Sequence, residues 1–165
     1  MTDLVFNNFT TDRKYDGGFF KKIIEVAAKE LDLESKKMEL SVNLVGEGRI
    51  KALNKKYRGR NRVTDVLSFP LISSYRKTRG LAITEIGVKS GTSDIINLGD
   101  IFICLPVAKK YSIREKVGLD FKLAFLAIHG FLHLMGYDHE KSAEEKDKMF
   151  ALQDRILKKV LGVRD

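Results

Sequence analysis

The sequence predicts an α+β domain, a small mixed sheet with helices packed on it. Three observations lead there. Segments of period-two alternation, above all KMELSVNLVG at 37–46, interleave with segments of helical period without strict alternation. Hydrophobic residues make up 44% and charged residues 32% of the 165, a balance that suits one domain spanning residues 1–165 with its own core. No apolar run approaches the roughly 18 residues of a membrane span, so no membrane partner is expected. The opening MTDLVFNNFT has no basic start followed by an apolar stretch, so no secretory signal is expected and the cytoplasm is the expected location.

The elements follow in order. Residues 3–9 (DLVFNNF) alternate loosely and read as a first strand. Over 17–33, Phe20, Ile23, Ile24, Ala27, Ala28 and Leu31 fall at helical spacing, with Asp16 placed to cap the helix. In 37–46, Met38, Leu40, Val42 and Leu44 share one face of a half-buried strand. Gly46-Glu47-Gly48 reads as a turn, and a short helix over 47–57 carries Ile50, Leu53 and Tyr57 on its apolar side. Arg58-Gly59-Arg60-Asn61-Arg62 is a basic loop, and VTDVLSFP (63–70) is a β-branched strand ended by Pro70. Residues 72–97 are polar, with one weak strand candidate at 81–88. LGDIFIC (98–104) is a strand, 105–117 and 120–135 are helices, and 140–161 is a long amphipathic helix with Met149, Leu152, Ile156, Leu157 and Val160 inward. There is no repeat, low-complexity tract or linker.

The net charge is +8. A surplus of this size suits a polyanionic partner such as RNA, DNA or an anionic membrane surface. Its distribution says more than its sum. Residues 49–62 hold seven Lys and Arg and no acid, whereas acids gather in 138–147. Arg49, Lys55, Lys56, Arg60 and Arg62 are therefore candidate contacts for such a partner, against the plainer reading of a solvated face. Cys104 is the single cysteine and lies in the apolar run IFIC, where a buried, unreactive thiol is expected.

All three histidines lie in HGFLHLMGYDH (129–139). His129 and His133 are one helical turn apart and project from the same face, which lets a helix offer two imidazoles to one metal ion. Gly136 is placed to stop the helix, and the turned chain can bring back His139 as a third ligand. Three imidazoles leave one position of a tetrahedral zinc ion open for water or substrate, the mark of a catalytic site. The spacing resembles that of metzincin peptidases, which need Glu directly after the first histidine as general base. Gly130 stands there and cannot accept a proton, which argues against peptide hydrolysis. Asp138 either orients a histidine or, as the favoured reading, caps a helix starting near Glu140; Tyr137 is expected to shape the turn by packing. Asp65, Ser68 and Asp100 are polar residues in apolar strands, expected to hold strand ends by hydrogen bonds.

Together, YRGRNRVTDVLSFP (57–70), LGDIFIC (98–104) and HGFLHLMGYDHE (129–140) resemble the YbeY family of bacterial rRNA-maturation endoribonucleases, over about residues 38 to 161. The resemblance implies a zincin-like α+β domain holding one Zn2+ ion. It implies an endoribonuclease specific for single strands, acting in 3′-end maturation of 16S ribosomal RNA and in ribosome quality control. Its implied partners are the small ribosomal subunit and its RNA, ribosomal proteins and ribosome-assembly GTPases. By position it makes His129, His133 and His139 the metal ligands and catalytic residues, and Arg58 of YRG the functional arginine. The sequence departs from the family twice: Val63 replaces the usual proline, and Leu71 to Asn97 is longer, an extra hairpin or a flap.

On this reading Lys and Arg neutralise RNA phosphates, and Arg58 stabilises charge developing on the phosphate. Two other functions stay open: a metallopeptidase whose base comes from a distant residue such as Glu140, and a ribosome-associated binding protein with a structural zinc.

Overall fold

The structure, a computed structural model, describes residues 2–71 and 95–163. The strand candidate at 81–88 and most of the long 71–97 segment lie outside the described residues. Among the described residues nine elements follow in the order β1 (Thr2–Asn8), α1 (Gly17–Glu30), β2 (Lys37–Val45), α2 (Glu47–Arg58), β3 (Val66–Pro70), β4 (Ile95–Cys104), α3 (Leu105–Glu115), α4 (Leu119–Leu134) and α5 (Ala143–Leu161). The protein is α+β, and its sheet has the strand order β1-β2-β4-β3. β1, β2 and β4 run parallel, and β3 runs antiparallel to β4 at one edge of the sheet formed by the described residues.

The alternation of β2 decides which face carries the main core. Met38, Leu40, Val42 and Leu44 are buried together with α1, α4 and α5, which cover that face. β4 buries both of its faces. Ile101 and Ile103 join the main core, while Phe102 and Cys104 join a second cluster with Val45, Ile50 and Leu67 under α2. Two-sided burial explains why IFIC is continuously apolar rather than alternating. It also pushes the Cys104 thiol pKa above its ordinary value, in keeping with an unreactive cysteine.

Several boundaries differ from the sequence reading, each for a local reason. Asp16 caps α1 as expected, accepting from Phe19 N–H at 3.0 Å. α2 begins directly after Gly46, so the glycine turn is the helix start, and Arg58 is the last helical residue rather than the first of the loop. Tyr57 is not inward: it is 58% exposed, with its ring edge against Phe69 at 5.2 Å. β3 starts at Val66 because the Asp65 side chain takes the Val66 N–H at 2.9 Å. α5 starts at Ala143 because Ser142 caps it, accepting from Glu145 N–H at 3.1 Å. Asp138 therefore caps no helix; its carboxylate accepts from Glu140 N–H at 2.9 Å and holds the preceding turn.

The outer edge of β3 bears on the site. Cys104 N–H donates to Asp65 O at 2.8 Å and Leu71 N–H to Leu98 O at 3.1 Å, so the closely bonded pairs fall on odd-numbered residues of β3. The backbone groups of Val66, Ser68 and Pro70 then point away from β4. The Val66 N–H is taken by Asp65, the Ser68 carbonyl accepts from the Arg58 guanidinium at 3.2 Å, and Pro70 has no N–H.

Candidate metal centre

α4 carries the first two histidines because its sequence is apolar nearly all round and is buried between the sheet and α5. Gly130 lets it lie close to the sheet. A Cβ there would stand 2.7 Å from Ile101 Cγ2 and 3.1 Å from Ser68 Oγ. A glutamate at this position would have to push into β4 and β3. The position directly after the first histidine is a packing position in this protein.

His129 and His133 present their Nε2 atoms to each other at 3.1 Å. α4 then stops at Gly136, whose φ of 89° is left-handed. Gly136 N–H donates to His133 O and Tyr137 N–H to Leu132 O, both at 3.0 Å, the paired bonds of a Schellman ending. Tyr137 packs on the core beside that turn, as expected. The reversed chain brings His139 back, its ring centroid 5.2 Å from that of His129 and 5.1 Å from that of His133. One ring nitrogen from each histidine lies within 4.8 Å of the others.

This geometry fits a metal ion. Two nitrogens bound at about 2.05 Å to a tetrahedral zinc stand about 3.3 Å apart, close to the 3.1 Å of the His129–His133 pair. The electrostatics fit as well. Burial pushes the His133 pKa down to about 4, helped by the neighbouring imidazoles of His129 and His139. Burial also lowers that of His129, only partly opposed by its bond to Gln153. Both rings are therefore neutral at pH 7, the form that ligates a metal.

Gln153 on α5 was not singled out in the sequence. It is 1% exposed and stands within the apolar stripe of Met149, Leu152, Ile156 and Leu157. A lone amide inside such a stripe was the signal that could have found it. Its Nε2 donates to Phe125 O at 3.3 Å, which turns Oε1 toward His129 Nδ1 at 3.0 Å. His129 then carries its proton on Nδ1 and leaves the Nε2 lone pair facing His133. We expect Gln153→Leu to weaken metal binding by about 10–100-fold, measured by competition with a chelating dye.

The pH dependence of stability has a definite sign. The folded metal-free protein holds His133 at about 4 against an ordinary 6.5, so the unfolded chain takes up the proton first as pH falls. The contribution is complete above about pH 6.5 and is lost between there and about pH 4. We expect up to about 3 kcal/mol over that window in urea unfolding of the metal-free protein, with a shallower dependence in His133→Ala. An identical dependence in the variant would assign the loss to other groups.

Arg58 reaches this region through the sheet edge. Its guanidinium bonds the Ser68 carbonyl, and Ser68 Oγ donates to Gly130 O at 3.2 Å, next to His129. Ser68 thus ties β3 to the histidine helix rather than holding a strand end. Asp65 does hold the start of β3, and Asp100 accepts from the Ser41 hydroxyl across β2 and β4. Arg49, Lys55, Lys56, Arg60 and Arg62 are all exposed on α2 and the loop after it. The Arg49 guanidinium lies 4.1 Å over the Phe9 ring, and the buried Asn54 side chain holds the loop through Arg62 O at 2.9 Å. The structure therefore gathers the three histidines into one cluster, connects Arg58 to it by two hydrogen bonds, and leaves the other basic residues as a surface.

The family model described as "Endoribonuclease YbeY" matches residues 6–161. Among curated relatives so named, that of Persephonella marina is 35% identical over 97% of this chain and 94% of its own length. That of Mesoplasma florum is 38% identical over 84% and 74%, and that of Limosilactobacillus reuteri 41% over 83% and 82%. The solution structure of TM1509 from Thermotoga maritima superposes with a TM-score of 0.61 at 26% identity, covering 98% of this chain and 90% of that one. A family match that takes in the α2–β3 arginine and the whole histidine turn, with relatives alike over most of their length, means that this chain belongs to the YbeY endoribonuclease family.

Proposed function

We propose that this protein is a zinc-dependent endoribonuclease, specific for single strands, that acts in 3′-end maturation of 16S ribosomal RNA and in ribosome quality control. The observation that carries the metal-dependent part is the convergence of His129, His133 and His139, joined by no carboxylate or thiolate among the described residues. An all-imidazole set of three suits zinc with a position left for reaction. The RNA part is supported by the family and by the basic surface on α2.

In this reading each histidine has a defined task. His129 and His133 hold the ion through their facing Nε2 atoms, and His139 closes the set from the turn. A bound zinc supplies Lewis acidity toward a phosphoryl oxygen and makes water more acidic. Arg58 orients the scissile phosphate and stabilises the charge that develops on it, its planar fork matching two phosphate oxygens. Arg49, Lys55, Lys56, Arg60 and Arg62 hold flanking phosphates, so binding weakens as salt rises. The small ribosomal subunit is the setting, with ribosomal proteins and ribosome-assembly GTPases as partners.

The test uses a 3′-extended small-subunit rRNA precursor, a matched duplex and the purified metal-loaded protein. The expected result is cleavage of the single-stranded extension, sparing of the duplex, loss of activity on chelation and its return with zinc. Cleavage that persists after complete metal removal would sink the proposal. So would a protein that keeps its zinc and cuts no RNA.

A further inference from the structure

We propose that the cleft between α4 and α5 beside the histidines is a stacking subsite for one unpaired nucleobase, the base next to the phosphate being cut. This rests on the ribonuclease reading above. The cleft has a volume of about 360 Å³ and is lined by Phe121, Phe125, Phe150 and Leu157, with Lys122 and Gln153. That is the lower end of the range for small-ligand pockets, and enough for one planar heterocycle.

Its aromatic wall is continuous with the metal centre. The Phe125 ring stacks on His129 with centroids 6.3 Å apart and planes 14° apart. The Phe150 ring lies 6.3 Å from His129 and 5.7 Å from His139. A strand with its phosphate at the histidines therefore brings a neighbouring base to these rings. Phe150 is also surplus to the core. Met149, Leu152, Ile156 and Leu157 bury the inner face of α5, while Phe150 stays 37% exposed.

The charges of the cleft favour a neutral ring over a phosphate. The buried Lys122 ammonium is paired with Glu115 at 2.9 Å and lies 5.0 Å over the Phe125 ring. Asp154 at the lining is paired with Lys158 at 3.2 Å. Gln153 has both ends of its amide engaged, by His129 and by Phe125 O. The Gln153 amide is thus held by its neighbours and is only 1% exposed, so recognition in the cleft is by stacking and tolerates sequence. A base locked in a duplex cannot enter, so the cleft selects single strands.

The test is binding of a short single-stranded oligonucleotide of 2′-O-methyl backbone to the metal-loaded protein. Phe150→Ala is expected to bind about tenfold more weakly, as one lost base stack would give. Phe150→Leu, which keeps apolar area without the aromatic plane, is expected to match it. An oligonucleotide made abasic beside the cut site should bind wild type about tenfold more weakly and Phe150→Ala no more weakly still. Equal affinity of wild type and Phe150→Ala for the intact strand overturns the subsite. So does a Phe150→Ala variant that merely dissociates a self-associated form, since the cleft would then hold a second copy. A wild-type protein that binds no single strand at all removes the ribonuclease reading first, and the two failures are told apart.

Discussion

His133→Ala is expected to lose its metal and with it nearly all RNA cleavage, by at least about a hundredfold. The basis is coordination: removing an outer partner of a metal ligand already costs about 10–100-fold in affinity or activity, and a ligand itself costs more. Two imidazoles and a cavity would remain where three nitrogens converge within 4.8 Å. The fold should survive, because His133 is half-buried and sits at the rim of the core rather than in it. Metal content by mass spectrometry and cleavage of a single-stranded RNA are the two readouts. A variant that retains one equivalent of tightly bound zinc would show that the other histidines suffice. A folded variant without zinc that still cuts RNA would separate the metal from catalysis.

Arg58→Ala is expected to lower kcat/KM for RNA by about 10²–10³-fold while leaving bound metal unchanged, the loss typical of one preorganised donor to a developing charge. Arg58→Lys should recover only part, since an ammonium lacks the fork that meets two phosphate oxygens. The structure gives the arginine a second task, the bond to Ser68 O at 3.2 Å on the β3 edge. Urea unfolding of the variant separates the two. An exposed side chain bonded to one carbonyl contributes about 1 kcal/mol or less, so a large loss of stability without loss of kcat would make Arg58 structural.

Much of this was legible in the sequence because it is local. β2 announces its face through Met38, Leu40, Val42 and Leu44, and α1 announces its start through Asp16. The histidine cluster is local as well, built from one helical turn and one glycine ending. What the sequence hid depends on contacts between distant segments. Gln153 looks like a flaw in an amphipathic stripe until α5 packs beside α4 and its amide meets His129, 24 positions away. Phe150 and Phe125 look like ordinary apolar residues until the same packing lays their rings along the imidazoles. On the sheet, Asn7 donates to Asn43, Asn43 to Ser41, and Ser41 to Asp100, a polar chain across three strands that no single strand reveals. Tyr57 followed the helical period and still faces outward, with the edge of Phe69 to pack on rather than the core.

The β3 edge has a consequence for which polymers this protein can engage. An arriving strand, from a peptide substrate or from a second molecule, joins a sheet by trading backbone hydrogen bonds with its outermost strand. Along β3 the donor of Val66 is already satisfied by Asp65, Pro70 has none to offer, and the acceptor of Ser68 is held by Arg58. The ladder is broken at three successive rungs. Among the described residues, the outer side of β3 thus offers an interrupted ladder, and what Arg58 presents there is positive charge rather than a template for another backbone.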